Sequence, residues 1–132
     1  MNNLKSFILF DDDPVNNMLS KITIIKTLKE AEILTFRSAE KGFHHIKTEY
    51  EKKDKKGVII LLDINMPGMN CWEFLEKFQQ LNEEVRNKFR IYIISASYKP
   101  VDKELASSNK NIAGFFEKPL TGEIIKSLID VN

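Results

Sequence analysis

Cysteine is almost absent from this chain. Cys71 is the only one in 132 residues, which excludes an internal disulfide framework and any cysteine-rich zinc site. Long apolar runs are missing as well. The longest, "VIILL" at 58–62, falls far short of the roughly 20 residues a membrane-spanning helix needs. The opening "MNNLKS" carries neither the basic start nor the apolar stretch of a secretory signal, so a cytoplasmic location is expected. Neither sign of charge dominates: 20 Lys and Arg against 19 Asp and Glu leave a formal net charge of +1. Bulk electrostatics therefore points to no direct nucleic-acid partner and no membrane surface. Glycine and proline are sparse, and no Gly/Ser/Pro linker, repeat or low-complexity tract divides the chain. What remains is an ordinary globular balance, 42% apolar and 30% charged, that suits a single domain over 1–132.

Two patterns alternate along that domain. Short all-apolar runs, "FILF" (7–10), "VIILL" (58–62) and "IYII" (91–94), read as strands buried on both faces, as in a parallel sheet. "EILTF" (32–36) and "AGFF" (113–116) are weaker strands of the same kind. Between them lie amphipathic segments. Behind Pro14, residues Val15, Met18, Leu19, Ile22, Ile25 and Leu28 recur at helical spacing, the pattern of a stripe that faces a core. Further helices are predicted from Ala39 to about Glu51, from Cys71 to about Leu81, and from Val101 to Ser107. The last, Thr121 to Val131, would bury Ile124, Ile125, Leu128 and Ile129, with Thr121 as its cap and Glu123 in the first turn. The mixed charges of "TEYEKKDKKG" (48–57) read as a solvent-facing loop. Five β-α units in strict alternation make a doubly wound α/β fold, a five-stranded parallel sheet with helices on both faces. Ligands of such folds sit beyond the carboxyl ends of the strands.

That edge has an unusual composition. "FILFDDDP" places Asp11, Asp12 and Asp13 in succession, although adjacent like charges disfavour ionisation. Asp13 is accounted for as an N-cap, with proline at the first helical position. Asp11 and Asp12 are not. The third strand ends in Asp63, the fourth in Ser95 and the fifth in Lys118, so four strands bring three carboxylates, a hydroxyl and an ammonium to one rim. Clustered carboxylates repel unless a hard cation neutralises them, and an all-oxygen set suits Mg²⁺, or Mn²⁺ as a second choice. A lysine supplies a point charge for phosphate oxygens, and a serine supplies a hydrogen bond. One of the carboxylates can then be the nucleophile, as in aspartyl-phosphate chemistry. The pattern points to metal-assisted phosphoryl transfer onto an aspartate.

Together, "FILFDDDP", "LLDINMPGMN", "IISAS" and "FFEKPL" resemble the receiver domain of two-component response regulators, in order and in spacing, from about Lys5 to Val131. The resemblance implies a flavodoxin-like sheet in the order 2-1-3-4-5. It implies Asp11 and Asp12 as the acidic pair that holds Mg²⁺, Asp63 as the phospho-acceptor, and the backbone carbonyl of Asn65 as a further metal ligand. Ser95 would be the switch hydroxyl, Lys118 the lysine that pairs with the phosphoryl group, and Phe115 the aromatic that moves on activation. A cis bond between Lys118 and Pro119 belongs to the same pattern. The partners implied are a histidine kinase or histidine phosphotransfer protein as donor, and a downstream protein. Phosphorylation and dephosphorylation would be self-catalysed, without making the chain a dedicated enzyme. Because the sequence stops at Asn132, just after the fifth predicted helix, output is expected from a switched surface formed by the fourth helix, fifth strand and fifth helix.

Two rivals stand beside this reading. "FDDDPV" also fits the opening of a haloacid-dehalogenase-type phosphatase, with Asp11 as nucleophile and Asp13 as acid/base. That parse leaves Asp63 unexplained and lacks a second acidic pair after Lys118. The other rival is a receiver-like binding module that never takes phosphate, which the intact set of five residues argues against. His44 and His45, adjacent on a helix, cannot chelate together and read as surface or half-buried. Cys71 stands where receivers carry glycine and is expected to pack, as are Trp72, Phe74 and Phe116. Ser97 and Tyr98 lie where receivers tune phosphoryl lifetime and partner contacts.

Overall fold

The structure, a computed structural model, describes residues 5–129. Its elements run β1 (Ser6–Phe10), α1 (Pro14–Thr27), β2 (Glu32–Phe36), α2 (Ala39–Glu49), β3 (Val58–Leu62), α3 (Cys71–Gln79), α4 (Glu83–Arg86), β4 (Phe89–Ser95), α5 (Pro100–Ser108), β5 (Ile112–Glu117) and α6 (Gly122–Ile129). The five strands form one parallel sheet in the order β2-β1-β3-β4-β5. Register aligns Phe10 with both Phe36 and Leu62, Leu62 with Ile93, and Ser95 with Glu117, so the carboxyl ends of the strands share one rim.

Strand alternation sorts the apolar runs into two cores. Ile8, Phe10, Ile60, Leu62, Ile91 and Ile93 face the side covered by α2 to α5. Phe7, Leu9, Ile59, Leu61, Tyr92 and Ile94 face α1 and α6, where Ile24, Ile125 and Leu128 close the layer. Burial on both sides is why β1 and β3 could be read from continuous apolar runs. Helix starts follow local chemistry. Asp13 Oδ1 accepts from the Val15 N–H at 2.9 Å, as its place before Pro14 predicts. Asn70 and Glu73 exchange two 2.9 Å bonds in a capping box that opens α3. Thr121 Oγ1 caps Ile124 N–H at 3.1 Å.

Four expectations need correction. A sixth helix, the single turn α4, interrupts the strict alternation between α3 and β4, and Asn82 caps it through the Val85 N–H at 2.9 Å. The apolar stripe of α1 does not face the core: Val15, Met18 and Leu19 are 57, 60 and 57% exposed, and Ile22 and Ile25 at least 40%. Asn17 and Ile24 are the residues of α1 that are buried. The 48–57 segment is not wholly a solvent loop, since Tyr50 lies in the core at 2% exposure. In α6, Ile125 and Leu128 are buried but Ile124 and Ile129 only half so, and the predicted end at Val131 lies outside the described residues. Elsewhere the predicted boundaries hold to within one or two residues. Among the described residues no helix is long and apolar enough to cross a membrane.

Candidate functional site

Three residues one step beyond their strands build the rim. Asp11 N–H continues the ladder to Phe36 O at 3.1 Å, Asp63 N–H to Phe10 O at 3.1 Å, and Lys118 N–H to Ser95 O at 3.0 Å. Their main chains are thereby fixed by the sheet, and their side chains converge above it. Carboxylate oxygens of Asp11, Asp12 and Asp63 lie within 4.8 Å of one another. Asp11 and Asp63 are each 6% exposed, whereas Asp12 is half-exposed at the mouth.

The Lys118 ammonium enters between the two buried acids. It donates to Asp11 Oδ2 and, at 3.2 Å, to Asp63 Oδ2. The opposite oxygens take main-chain bonds: Asp11 Oδ1 from Asp13 N–H at 2.9 Å, and Asp63 Oδ1 from Asn65 N–H at 3.2 Å. Burial pushes the Asp63 carboxyl above the ordinary carboxylate range, although Lys118 and the Asn65 N–H pull the other way. Burial alone would lower the Lys118 ammonium, but its bonds to Asp11 and Asp63 outweigh that and hold it protonated to higher pH. The result is a basic carboxylate beside a firmly charged lysine. The oxygen-only donor set, with one acid open to solvent, has the character that a hard divalent cation requires.

The remaining predicted residues surround this centre. Ser95 is fully buried, and its hydroxyl donates to Ser97 O at 2.9 Å rather than to Asp63. Asn65 sits in the loop after Asp63, its side chain donating to Ser97 O at 2.7 Å. Gly68 turns that loop at φ 77°, behind Pro67. Phe115, half-buried on the edge strand β5, packs edge-to-face on Tyr98 with ring centroids 4.9 Å apart. The Lys118–Pro119 bond is cis. Asp13 lies outside the centre, its side chain committed to the helix cap, which removes the acid/base that the phosphatase parse needs. Cys71 is fully buried and its thiol is pushed up to about 12, first by burial, so it is packing rather than a nucleophile. His44 is exposed. His45 is half-buried between Phe36 and Tyr50, away from the rim.

Sequence reading missed two contributors. Asn17, buried on α1, donates its amide to Asp11 O at 2.9 Å and so fixes the carbonyl behind the first carboxylate. The Asn65 amide was missed because the resemblance concerns only its main chain. A polar residue at i+4 from the cap, within an apolar helix, was the one available signal for Asn17.

The chain is similar to solved receivers throughout its length. A two-component response regulator from Cytophaga hutchinsonii matches at 29% identity and TM-score 0.87, covering 98% of this chain and 96% of that one. A response regulator receiver protein from Dyadobacter fermentans matches at 28% identity and TM-score 0.82, covering 96% and 99%. A two-component response regulator from Legionella pneumophila matches at 25% identity and TM-score 0.77, covering 95% of each. No curated protein matches the sequence. The model of the response regulator receiver domain matches residues 7–130, and the chain belongs to that family.

Proposed function

We propose that residues 1–132 form one phospho-accepting receiver, in which Asp63 takes a phosphoryl group from a histidine of a partner kinase or phosphotransfer protein. The observation that carries this reading is the Lys118 ammonium bound to both Asp11 and Asp63 beside the half-exposed Asp12. Receivers bind Mg²⁺ at a cluster of acids, and Asp11, Asp12 and Asp63, with the Asn65 carbonyl, are the residues that would hold it here. The ion would offset the charge of the incoming phosphoryl oxygens.

The chain's own residues do the rest. An Asp63 oxygen forms the new P–O bond as the P–N bond to the donor imidazole breaks, and the electron pair leaves with the ring nitrogen. Lys118 supplies a fixed positive charge for the transferred oxygens. Ser95, once released from Ser97 O, donates its hydroxyl to a phosphoryl oxygen, and Phe115 follows into the vacated space. The surface formed by α5, β5 and α6 changes with it, a population shift driven by one local charge.

The donor approaches over Asp12, next to α1. The exposed stripe of Val15, Met18, Leu19, Ile22 and Ile25 begins there, and a groove beside Leu19 and Ile22 reaches Lys118, Pro119 and Leu120. An apolar surface flanking the donor histidine would bury this stripe. Labelling from a small phosphodonor with Mg²⁺ tests the reading. The acyl phosphate is expected on Asp63 and lost in Asp63→Asn. Label on Asp11 would favour the phosphatase parse, and an inert protein would favour a binding module.

A further inference from the structure

The segment behind β4 is tied down twice. Ser97 O accepts from the Asn65 side-chain amide at 2.7 Å and from the Ser95 hydroxyl at 2.9 Å. Ser97 N–H returns a longer bond, 3.3 Å, to that same hydroxyl. The next residue, Tyr98, packs its ring on Phe115 and donates its hydroxyl to Glu117 at 3.3 Å. Asn65 holds Asp63 at its other end, through the 3.2 Å bond from its N–H to Oδ1. A connected path therefore runs from Asp63 through Asn65, Ser97 and Tyr98 to Glu117 at the end of β5.

Donor and acceptor capacity decides how that path behaves. The Ser95 hydroxyl has one proton, and while Ser97 O receives it none is left for a phosphoryl oxygen on Asp63. A carbonyl has two acceptor sites, so the Asn65 bond survives when Ser95 leaves. The Ser97 carbonyl is then held by Asn65 alone, whose N–H bonds a carboxylate that phosphorylation converts to an ester-like acyl phosphate. Tyr98 cannot follow a shift of Ser97 without disturbing both its Phe115 packing and its Glu117 bond.

We propose that the Asn65 amide, the Ser97 carbonyl and Tyr98 form a latch that couples the state of Asp63 to the edge strand β5, in parallel with the Ser95 hydroxyl. In the resting chain the latch is shut: it keeps Ser95 turned from Asp63 and Phe115 covered by Tyr98. The proposal rests on Asp63 being the phospho-acceptor, and Asn65 and Tyr98 act in it as positioning residues.

Amide hydrogen exchange and chemical shifts test it in the intact chain, in parent, Asn65→Ala, Tyr98→Phe and Ser95→Ala. Without ligand, Asn65→Ala is expected to speed exchange at the Ser97 amide, which bonds the Ser95 hydroxyl, about fivefold, the factor for one hydrogen bond of ordinary net strength. With Mg²⁺ and beryllofluoride as the phosphoryl mimic, the Asp63 and Glu117 signals should both move in the parent. Tyr98→Phe should keep the Asp63 response, and both Tyr98→Phe and Asn65→Ala should lose about half or more of the Glu117 response, while Ser95→Ala keeps part of it. A full Glu117 response in both latch variants, or unchanged exchange in Asn65→Ala, overturns the latch. An Asp63 signal that ignores beryllofluoride in the parent overturns the phospho-acceptor reading, and the latch with it.

Discussion

Asp63, the proposed phospho-acceptor, works against the fold that carries it. Its pKa in the folded chain is raised from 3.8, so the folded state disfavours its charge. For a carboxyl shifted upward, the associated stability is present in acid and is lost as pH rises from about the unfolded value through the folded one. Asp63→Asn in metal-free buffer should therefore raise the melting temperature at pH 7 by about 3 °C, the effect of roughly 1 kcal/mol in a domain of this size. The gain should shrink toward zero below about pH 4, and thermal melts across pH 3.5–7 would show it. A variant less stable than its parent at pH 7 contradicts the argument. Its residue-level identity was legible: an aspartate at the end of a fully apolar strand, opposite two more, has few structural reasons to exist. The amides of Asn17 and Asn65 were not legible, because spacing places a residue on an element but does not say which carbonyl a side-chain N–H will find.

Elements pose a different problem, since periodicity reports which residues share a face and not what covers that face. The strands were readable because double burial leaves no polar residue from Phe7 to Phe10 of β1 or anywhere in β3. On α1 the same kind of pattern misled: the stripe is real, but it looks outward, and Asn17 and Ile24 supply the inner side. The single turn α4 is too short for any period, and only its cap, Asn82 followed by Glu83 and Glu84, was there to be seen. Helix α2 shows packing overriding propensity. Gly42 is a poor helix former, yet a Cβ at that position would lie 2.1 Å from Cε2 and 2.4 Å from Cζ of Phe10. The Phe10 ring is itself hemmed in by Phe36 and Phe74, with centroids 5.7 and 5.0 Å away. Alanine would gain about 1 kcal/mol in helix propensity. Overpacking a closed core costs about 1–3 kcal/mol and here involves the body of a ring rather than a flexible tip. The clash should win, so Gly42→Ala is expected to lower stability by up to about 2 kcal/mol in chemical denaturation, and Gly42→Ala with Phe10→Leu should recover part of the loss. Unchanged stability in the single variant would mean that α2 can lift off β1 at little cost.

At the scale of the molecule, the sheet gathers charge at one rim while the chain as a whole stays near neutral. Asp11 and Asp63 are buried there, and Lys118, arriving from the far edge strand, is their shared counterion. Lys118→Ala removes it and leaves two poorly hydrated carboxylates facing each other. Losing one partner of a buried ion pair typically costs about 3–5 kcal/mol. The Asp12 side stays open, so a divalent cation can take over the neutralising role. Mg²⁺ should thus stabilise Lys118→Ala more than the parent, in which the ion must share two of its carboxylates with an ammonium. Thermal melts with and without Mg²⁺ should show the larger rise in the variant, and calorimetric titration should show tighter Mg²⁺ binding there. Phosphoryl transfer should nevertheless fall, because the ion cannot occupy its own place and that of Lys118 at once. Equal Mg²⁺ responses in the two proteins would mean that Lys118 is not electrostatically coupled to the acids it touches, and the rim could not then work as one unit.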